Sequence, residues 1–272
     1  MPDEQLARLL ASAQDRHEPV IGDAIVVESL AKRYANGTDA VRGISFRVGA
    51  GEIYGILGPN GAGKSTTMGM LGTLVRPTGG RALVAGHDVA RAPREVRKRI
   101  GFAMQEVGVD ELAKGVELVV LHGRLHGLSR REAAHRAALL LELVGLGDAA
   151  GRRMGEYSGG MKRRVDLASA LIHLPSVLFL DEPTEGLDPH ARAAIWETLE
   201  RLNQELGMTI LLTTHYMEEA DRLCRRVAIV DRGRIVVQGT PTDLKEATGT
   251  SGAASLEEVY LYSTGRALEL AA

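Results

Sequence analysis

The sequence predicts an α/β fold: a core built on a parallel sheet, an antiparallel β lobe and an inserted α-helical subdomain. Three observations predict it. An apolar run at 52–57 leads into a glycine loop and then into a helix-forming segment, which is the order of a parallel α/β core. Residues 163–240 alternate strand-like and helix-like segments. Between these parts, a stretch at about 106–160 is rich in leucine, alanine and arginine, which indicates inserted helices.

The order of these segments gives the predicted domain organisation. Residues 1–22 are expected to form a polar N-terminal extension, 23–240 the main domain, and 241–272 a C-terminal tail that closes with a helix. The helical subdomain is expected at about 106–160, inside the main domain.

Turn and cap signals locate individual elements. The pair Asn36-Gly37 divides two strand-like runs at 25–48, which predicts a hairpin in the antiparallel lobe. Two Ser-x-x-Glu capping boxes predict helix starts, one in the subdomain and one in the tail: Ser129–Glu132 and Ser255–Glu258. Four basic residues of the subdomain are expected on a solvated helix face, with a place at a partner's surface as the weaker alternative: Arg124, Arg130, Arg131 and Arg136.

The glycine loop at 58–65 fits the pattern G-x-x-x-x-G-K-[ST] and predicts a P-loop NTPase. Glycines let backbone N–H groups point at an anion, and the following helix start adds a partial positive charge. Lys64 is predicted to reach the β- and γ-phosphates, and the Ser65 hydroxyl to ligate Mg²⁺. A glycine-rich turn that matches by chance is the alternative, and the flanking strand and helix disfavour it. The predicted nucleotide cradle is Gly58, Pro59, Asn60, Gly61, Ala62, Gly63, Lys64, Ser65 and Thr66.

A second short apolar run, 175–180, ends in Asp181-Glu182. Ligands of parallel α/β sheets bind at the carboxyl ends of the strands, so both carboxylates are placed for chemistry. Asp181 is suited to hold Mg²⁺, directly or through its water. Glu182 is the candidate general base for the attacking water. An acidic turn after a core strand is the alternative, and the complete phosphate loop argues against it.

Composition excludes several classes of protein. The 33 basic and 35 acidic residues leave a net charge of −2, so nucleic acid is not an expected partner. A single cysteine, Cys224, excludes an internal disulfide and a cysteine-rich zinc site. The N-terminus does not read as a signal peptide, and no run approaches ~18 consecutive apolar residues, so no membrane span is expected.

Together these motifs identify a resemblance to the ATP-binding subunits of ABC transporters, and within them to the drug-resistance exporters related to the daunorubicin system. The resemblance covers about 25–266 and implies a RecA-like core. Further positions match family motifs. They are the signature Ser158-Gly159-Gly160, the glutamine-loop Gln105, the D-loop Gly186-Leu187-Asp188, the switch histidine His215, the adenine-stacking aromatic Tyr34, and a closing helix at 255–266.

The signature tripeptide, Ser158 with Gly159 and Gly160, precedes a helix and could form a second anion site. On its own it reads as a helix cap after a turn. The resemblance implies instead that the signature of one copy covers the ATP held by another, in a head-to-tail homodimer. The outer positions depart from the common Leu-Ser-Gly-Gly-Gln, because Tyr157 and Met161 stand there.

The roles of four other positions also come from the resemblance. His215 would contact the γ-phosphate and help position Glu182, and Gln105 would ligate Mg²⁺ and sense the membrane partner. Tyr34 would stack on the base, and Asp188 would bridge the two active sites. Three of them have a plainer alternative: a structural histidine for His215, a surface amide for Gln105, and a helix N-cap before Pro189 for Asp188. Since the chain has only ten Phe, Trp and Tyr residues, an aromatic at position 34 is not expected to be filler.

The predicted function is that of an ATPase, with ATP and Mg²⁺ as cofactors, on the cytoplasmic face of the cell membrane. It would power efflux of a drug-like or other amphipathic compound through a separate permease subunit. An ABC-type ATPase acting on nucleic acid or chromosomes is the rival class, and the short insert without heptads disfavours it. A GTPase or small-molecule kinase is disfavoured because no Asn-Lys-x-Asp guanine motif occurs and the signature would go unexplained. Cargo choice lies in membrane subunits, so this chain does not specify it.

Overall fold

The computed structural model describes residues 20–104, 110–247 and 255–265. These residues fall into two compact units. The phosphate-loop unit consists of Ile21–Arg97 and the chain from Thr209 onward, and the helical unit consists of Lys98–Met208. The predicted extension at 1–22 lies almost entirely outside the described residues, and Gln105 lies outside them as well.

The phosphate-loop unit contains two groups of strands. The first is antiparallel, in the order β2-β1-β4-β5, and the second has the order β10-β9-β3-β8, in which β9, β3 and β8 are parallel. The strands are β1 Asp23–Arg33, β2 Asp39–Gly49, β3 Ile53–Leu57, β4 Gly79–Val84, β5 His87–Asp88, β8 Thr209–Thr214, β9 Arg226–Asp231 and β10 Arg234–Gly239. Its helices are α1 Lys64–Leu71, α7 Met217–Leu223, α8 Pro241–Ala247 and α9 Leu256–Thr264, and α2 Pro93–Arg99 runs across the boundary.

The helical unit contains one parallel pair of strands, β6 Ile100–Ala103 and β7 Val177–Asp181, in which Ala103 is opposite Leu180. Its helices are α3 Gly115–Leu125, α4 Arg130–Leu143, α5 Gly159–Leu171 and α6 Pro189–Leu206. On α4 the buried residues recur at helical spacing, because Ala133, Ala137, Leu140 and Leu141 form one stripe. The predicted α/β class, with antiparallel and parallel strands and inserted helices, is therefore confirmed.

Burial follows the periods that the sequence predicted. Ile44, Phe46 and Val48 of β2 are buried and alternate with exposed residues, as on a strand with one covered face. All five residues of β3 are buried, which is typical of a parallel strand covered on both faces. Phe46 stacks on Tyr54 of β3 with ring centroids 5.3 Å apart, so the antiparallel strands pack on the parallel ones within this unit.

The predicted hairpin and the two predicted helix caps are present in the structure. The hairpin at Asn36-Gly37 joins β1 to β2, with the N–H of Gly37 donating to the Tyr34 carbonyl at 3.0 Å. Ser129 caps α4 by accepting from the Glu132 N–H at 3.1 Å. Ser255 and Glu258 form the complete reciprocal capping box at the start of α9.

One expectation about the basic residues was wrong. Arg136 is buried, although Arg124, Arg130 and Arg131 are exposed as predicted. Its guanidinium pairs with Glu132 at 2.9 Å and donates to the Ile172 carbonyl at 3.3 Å. The reason is its register, because position 136 lies on the buried stripe of α4 between 133 and 137 and therefore needs internal partners.

Candidate nucleotide site

The phosphate loop connects β3 to α1, and its path requires glycine at two positions. Gly63 has φ 105°, and a Cβ there would lie 2.4 Å from the Ala40 carbonyl oxygen. A Cβ on Gly58 would lie 2.2 Å from the Val230 carbonyl oxygen. The loop is therefore pressed against its own unit on one side, and bare backbone lines the cradle.

Lys64 lies at the centre of this loop and is buried. Its ammonium donates to the carbonyl oxygens of Gly58 at 2.8 Å and Pro59 at 3.2 Å. A buried cation needs such partners, and these two carbonyl oxygens hold the ammonium inside the loop. Ser65 is exposed in the first turn of α1, where backbone N–H groups favour anions.

A cavity of about 440 Å³ lies beside the loop, a size typical of small-ligand sites. Two arginines that sequence reasoning did not select, Arg42 and Arg232, contribute to its wall. The lining residues are Thr38, Asp39, Ala40, Arg42, Asn60, Gly61, Gly63, Lys64, Ser65, Thr66 and Arg232.

The β9–β10 turn explains how Arg232 reaches the cavity. The N–H of Gly233 donates to the Ala62 carbonyl at 2.9 Å, and the N–H of Arg42 donates to the Gly233 carbonyl at 2.7 Å. Both Arg232 and Gly233 have positive φ, at 46° and 77°, which makes the turn tight. The dipeptide Arg232-Gly233 signals a turn in the sequence, but only the fold places that turn on the phosphate loop.

Two other predicted residues of this unit lie against the loop. The Tyr34 hydroxyl is 3.4 Å from the Thr66 hydroxyl, and the ring is partly exposed with the Lys32 ammonium 5.1 Å from its centroid. His215 follows β8 and lines a second cavity, of about 460 Å³, together with Gly58 and Pro59. Tyr34 therefore lies beside Thr66, the last residue of the predicted cradle, and His215 lines the same cavity as Gly58, its first residue.

The helical unit carries the predicted carboxylates. Asp181 is the last residue of β7 and is buried, and Glu182 beside it is buried with φ 50°. This left-handed conformation is uncommon for a residue with a side chain and costs about 1–3 kcal/mol. Strain of this kind is concentrated at functional sites, where the surrounding structure holds it in place.

Arg163 of α5 holds the backbone around these carboxylates, and sequence reasoning did not select it. Its guanidinium donates to the carbonyl oxygens of Asp181 at 2.7 Å and Pro183 at 3.0 Å, and also to that of Met104. Asp166 lies 3.4 Å from the same guanidinium. In the sequence Arg163 is one of three consecutive basic residues, and nothing distinguishes it from a solvated one.

The signature residues occupy the start of α5. The Ser158 hydroxyl caps the helix by accepting from the Met161 N–H at 3.3 Å, and Ser158 and Gly159 are exposed. Gly160 is buried, and a Cβ there would lie 2.9 Å from the Ala191 Cβ. Ser158 and the first residue of α5 therefore lie at the protein surface, where the backbone N–H groups of a helix start favour anions.

Asp188 caps α6 by accepting from the Ala191 N–H at 2.9 Å. This hydrogen bond lowers the pKa of the Asp188 carboxyl. The plainer alternative for Asp188, a helix N-cap before Pro189, is therefore correct, and it leaves a second role at an interface open.

The donor types present suit ATP and Mg²⁺. A glycine loop with two positions that admit no Cβ, a buried lysine and a helix start fit a polyphosphate. The Ser65 hydroxyl and the Asp181 carboxylate are hard oxygen ligands of the kind that Mg²⁺ prefers.

Comparison with known proteins gives consistent matches. A family model described as ABC transporter matches residues 41–185, just over half of the chain. The daunorubicin/doxorubicin resistance ATP-binding protein DrrA of Streptomyces peucetius is 50% identical over 228 residues, which are 84% of this chain and 68% of that protein. The linearmycin resistance ATP-binding protein LnrL of Bacillus subtilis is 43% identical over 222 residues, 82% of this chain and 71% of that protein.

A solved structure of an ATP-binding cassette, a dimer in a post-hydrolysis state with ADP and Pi, aligns with a TM-score of 0.74. It is 27% identical and covers 79% of this chain and 98% of its own. Among the described residues of the present chain, every helix is too short or too polar to cross a membrane.

Proposed function

The chain belongs to the ABC transporter family as an ATP-binding and ATP-hydrolysing subunit of the exporter type, and we propose that it powers efflux of a drug-like or other amphipathic compound through a separate membrane permease. The observation that carries the proposal is the preformed phosphate loop with Lys64 buried in it. The names of the resistance relatives support the class of cargo.

The phosphate-loop unit supplies the nucleotide contacts in this proposal. Lys64 exchanges its loop carbonyls for the β- and γ-phosphate oxygens, and the backbone from Gly58 to Thr66 surrounds them. The partly exposed ring of Tyr34 stacks on adenine, which is worth ~1–3 kcal/mol for a base on an aromatic side chain. Arg42 and Arg232 add positive charge to the wall of the cavity.

The hydrolytic residues act on the water and the metal. Ser65, Asp181 and Gln105 would hold Mg²⁺, which when bound would neutralise charge on the β- and γ-phosphate oxygens. Glu182 accepts the proton of the attacking water, a contribution of about 10²–10⁴ in rate. His215 donates a hydrogen bond that orients the γ-phosphate and the water.

Two copies are proposed to work as a head-to-tail homodimer. Ser158, Gly159 and Gly160 of one copy then cover the γ-phosphate held by the other, with the exposed start of α5 as the anion-binding surface. Asp188, which is exposed at the start of α6, bridges the two sites. The dimeric post-hydrolysis cassette supports this arrangement by similarity.

The permease is proposed to dock on the helical unit, at the cytoplasmic face of the membrane. Four large apolar side chains among the described residues of this unit are exposed, Met104, Leu112, Leu121 and Leu125, and the last two are one turn apart on α3. Exposed apolar residues at helical spacing are typical of a helix that packs on a partner.

Capture of the full chain carrying Glu182→Gln from native membranes tests the proposal. With ATP present, a polytopic membrane protein should copurify, because the variant holds ATP without turning it over. Lys64→Ala is the control and should lose the ATP-dependent part of this enrichment. Recovery of nucleic acid, or of soluble partners alone, would contradict the exporter function.

A further inference from the structure

Three consecutive basic residues follow the signature, and their contacts differ. Lys162 is half-buried and lies 3.5 Å from Glu111, and Arg164 donates to the carbonyl of Val144 at 3.2 Å. Arg163 is buried, and it faces the carboxyl end of β7. Only Arg163 of these three contacts the backbone around the candidate general base, as far as the described residues show.

The two carbonyls that Arg163 holds flank Glu182 on both sides. One terminal nitrogen donates to Asp181 at 2.7 Å and the Nε donates to Pro183 at 3.0 Å. A guanidinium is planar and presents its donors in a fixed fork, so two carbonyls bound to it have a fixed separation and direction. The peptide group before Glu182 and the peptide group after Pro183 are therefore held by one guanidinium, with Glu182 between them.

Glu182 needs this support because its φ of 50° is unfavourable for a residue with a Cβ. Such a conformation persists only where neighbouring contacts over-determine it. The backbone sets the direction of the Cα–Cβ bond of Glu182, so the contacts that hold the backbone also limit where the carboxylate can lie.

The third carbonyl extends the contact to the neighbouring strand. Arg163 also donates to Met104, one residue beyond β6, and β6 and β7 are paired in parallel with Ala103 opposite Leu180. The guanidinium thus joins the carboxyl ends of two adjacent strands. Asp166, 3.4 Å away on the same helix, supplies the negative charge that a buried arginine requires.

Resting on the proposed role of Glu182 as general base, we propose that Arg163 is a positioning residue for ATP hydrolysis: it fixes the strained backbone at Glu182, through the carbonyls of Asp181 and Pro183, so that the carboxylate is directed at the attacking water. It does not touch the nucleotide. Its loss should therefore reduce the rate of hydrolysis while the contacts of the phosphate loop with ATP persist.

The test uses Arg163→Ala and Arg163→Lys in the full chain, with kcat and KM for ATP measured separately. We expect kcat to fall about 10–100-fold in Arg163→Ala, as a misplaced catalytic group does, with KM within about twofold of wild type. Guanidinium chloride at low millimolar concentration should restore part of kcat in Arg163→Ala. Arg163→Lys keeps the charge but not the fork, so it should show a smaller loss of kcat.

Arg136→Ala is the matched control. It too is a buried arginine of the helical unit, with a carboxylate one turn away on its own helix and a backbone carbonyl as partner. It should lower the melting temperature, leave kcat within about twofold, and gain nothing from guanidinium. If Arg163→Ala does not fold, Arg163→Lys decides the question, because unchanged kcat in a folded Arg163→Lys protein would refute the proposal. Equal effects of the Arg163 and Arg136 variants on kcat would refute it as well.

Discussion

The carbonyl oxygen of Ala40 occupies the space that a side chain at Gly63 would need, since a Cβ on Gly63 would lie 2.4 Å from it. A non-bonded contact between a Cβ and a carbonyl oxygen at this distance cannot form unless the backbone shifts. Ala40 is the second residue of β2 and Gly63 directly precedes Lys64, so the phosphate loop lies directly against this strand.

We therefore expect Gly63→Ala to lose ATP binding and to lower the free energy of unfolding. The positive φ alone costs about 1–3 kcal/mol in a residue with a Cβ, and the overlap with Ala40 adds to it. Titration with a fluorescent ATP analogue and urea denaturation measure the two effects. Gly151→Ala is the control, because a Cβ there meets no described atom within 4 Å and its φ is not positive. Normal ATP affinity in folded Gly63→Ala would contradict the close approach.

Removing the charge of Lys64 should weaken ATP binding, whereas removing the charge of Glu182 should slow hydrolysis and leave binding intact. Lys64→Ala should weaken ATP binding by about 10–150-fold, the value of one charged hydrogen bond at 1.5–3 kcal/mol. Glu182→Gln should keep that affinity, lose about 10²–10⁴ in phosphate release, and accumulate an ATP-bound dimer in size-exclusion chromatography. Undiminished phosphate release by Glu182→Gln would remove the role of general base from this residue.

Substitutions of the two signature glycines should affect different properties, because one glycine is packed inside the chain and the other is exposed. A Cβ at Gly160 would lie 2.9 Å from the Ala191 Cβ, so Gly160→Ala should destabilise the chain by about 1–3 kcal/mol through overpacking of α5 on α6. A Cβ at Gly159 meets no described atom within 4 Å. Gly159→Ala should therefore melt like wild type and bind ATP, yet lose turnover, because its methyl group would stand between the start of α5 and the partner's nucleotide.

Thermal melting, ATP titration and ATPase assays on these two variants make the comparison. If Gly159→Ala hydrolyses ATP at the wild-type rate, the signature does not approach a nucleotide in the way proposed.

Local chemistry explains which features the sequence could predict. The phosphate loop, the hairpin at Asn36-Gly37 and the caps at Ser129, Asp188 and Ser255 are each specified by residues within a few positions of one another. Such patterns depend on backbone geometry that neighbours in sequence determine, so they could be predicted without knowledge of the fold.

Features that depend on contacts between distant segments could not be predicted. Arg232 belongs to the cavity only because the β9–β10 turn bonds to the phosphate loop at Ala62. Arg163 is distinguished from Arg164 only by the strand end that it faces. The burial of Arg136 could have been foreseen from the helical stripe at 133, 137, 140 and 141, but its charge suggested solvent.

The Asp166 carboxyl next to Arg163 should make stability depend on pH. Burial raises the pKa of Asp166 to about 6, with Arg163 acting in the opposite direction, against 3.8 for an ordinary aspartate. Below pH 3.8 the group is protonated in both the folded and unfolded chain. Between pH 4 and 6 the folded chain holds a proton that the unfolded chain has released, so the free energy of unfolding falls as pH rises, and above pH 6 the full loss is present.

The shift of about 2 units corresponds to about 3 kcal/mol, and Asp166→Asn should remove it. Urea denaturation of wild type and variant at pH 4, 5, 6 and 7 measures the difference, which should change by up to about that amount and level off above pH 6. Asp188→Asn is the control of opposite sign, because the hydrogen bond from Ala191 lowers the pKa of Asp188, and its stabilising contribution is lost as pH falls. A wild-type-minus-Asp166→Asn difference that stays constant from pH 4 to 7 would mean that Asp166 titrates as an ordinary exposed carboxyl, and that the charge beside Arg163 is present throughout this range.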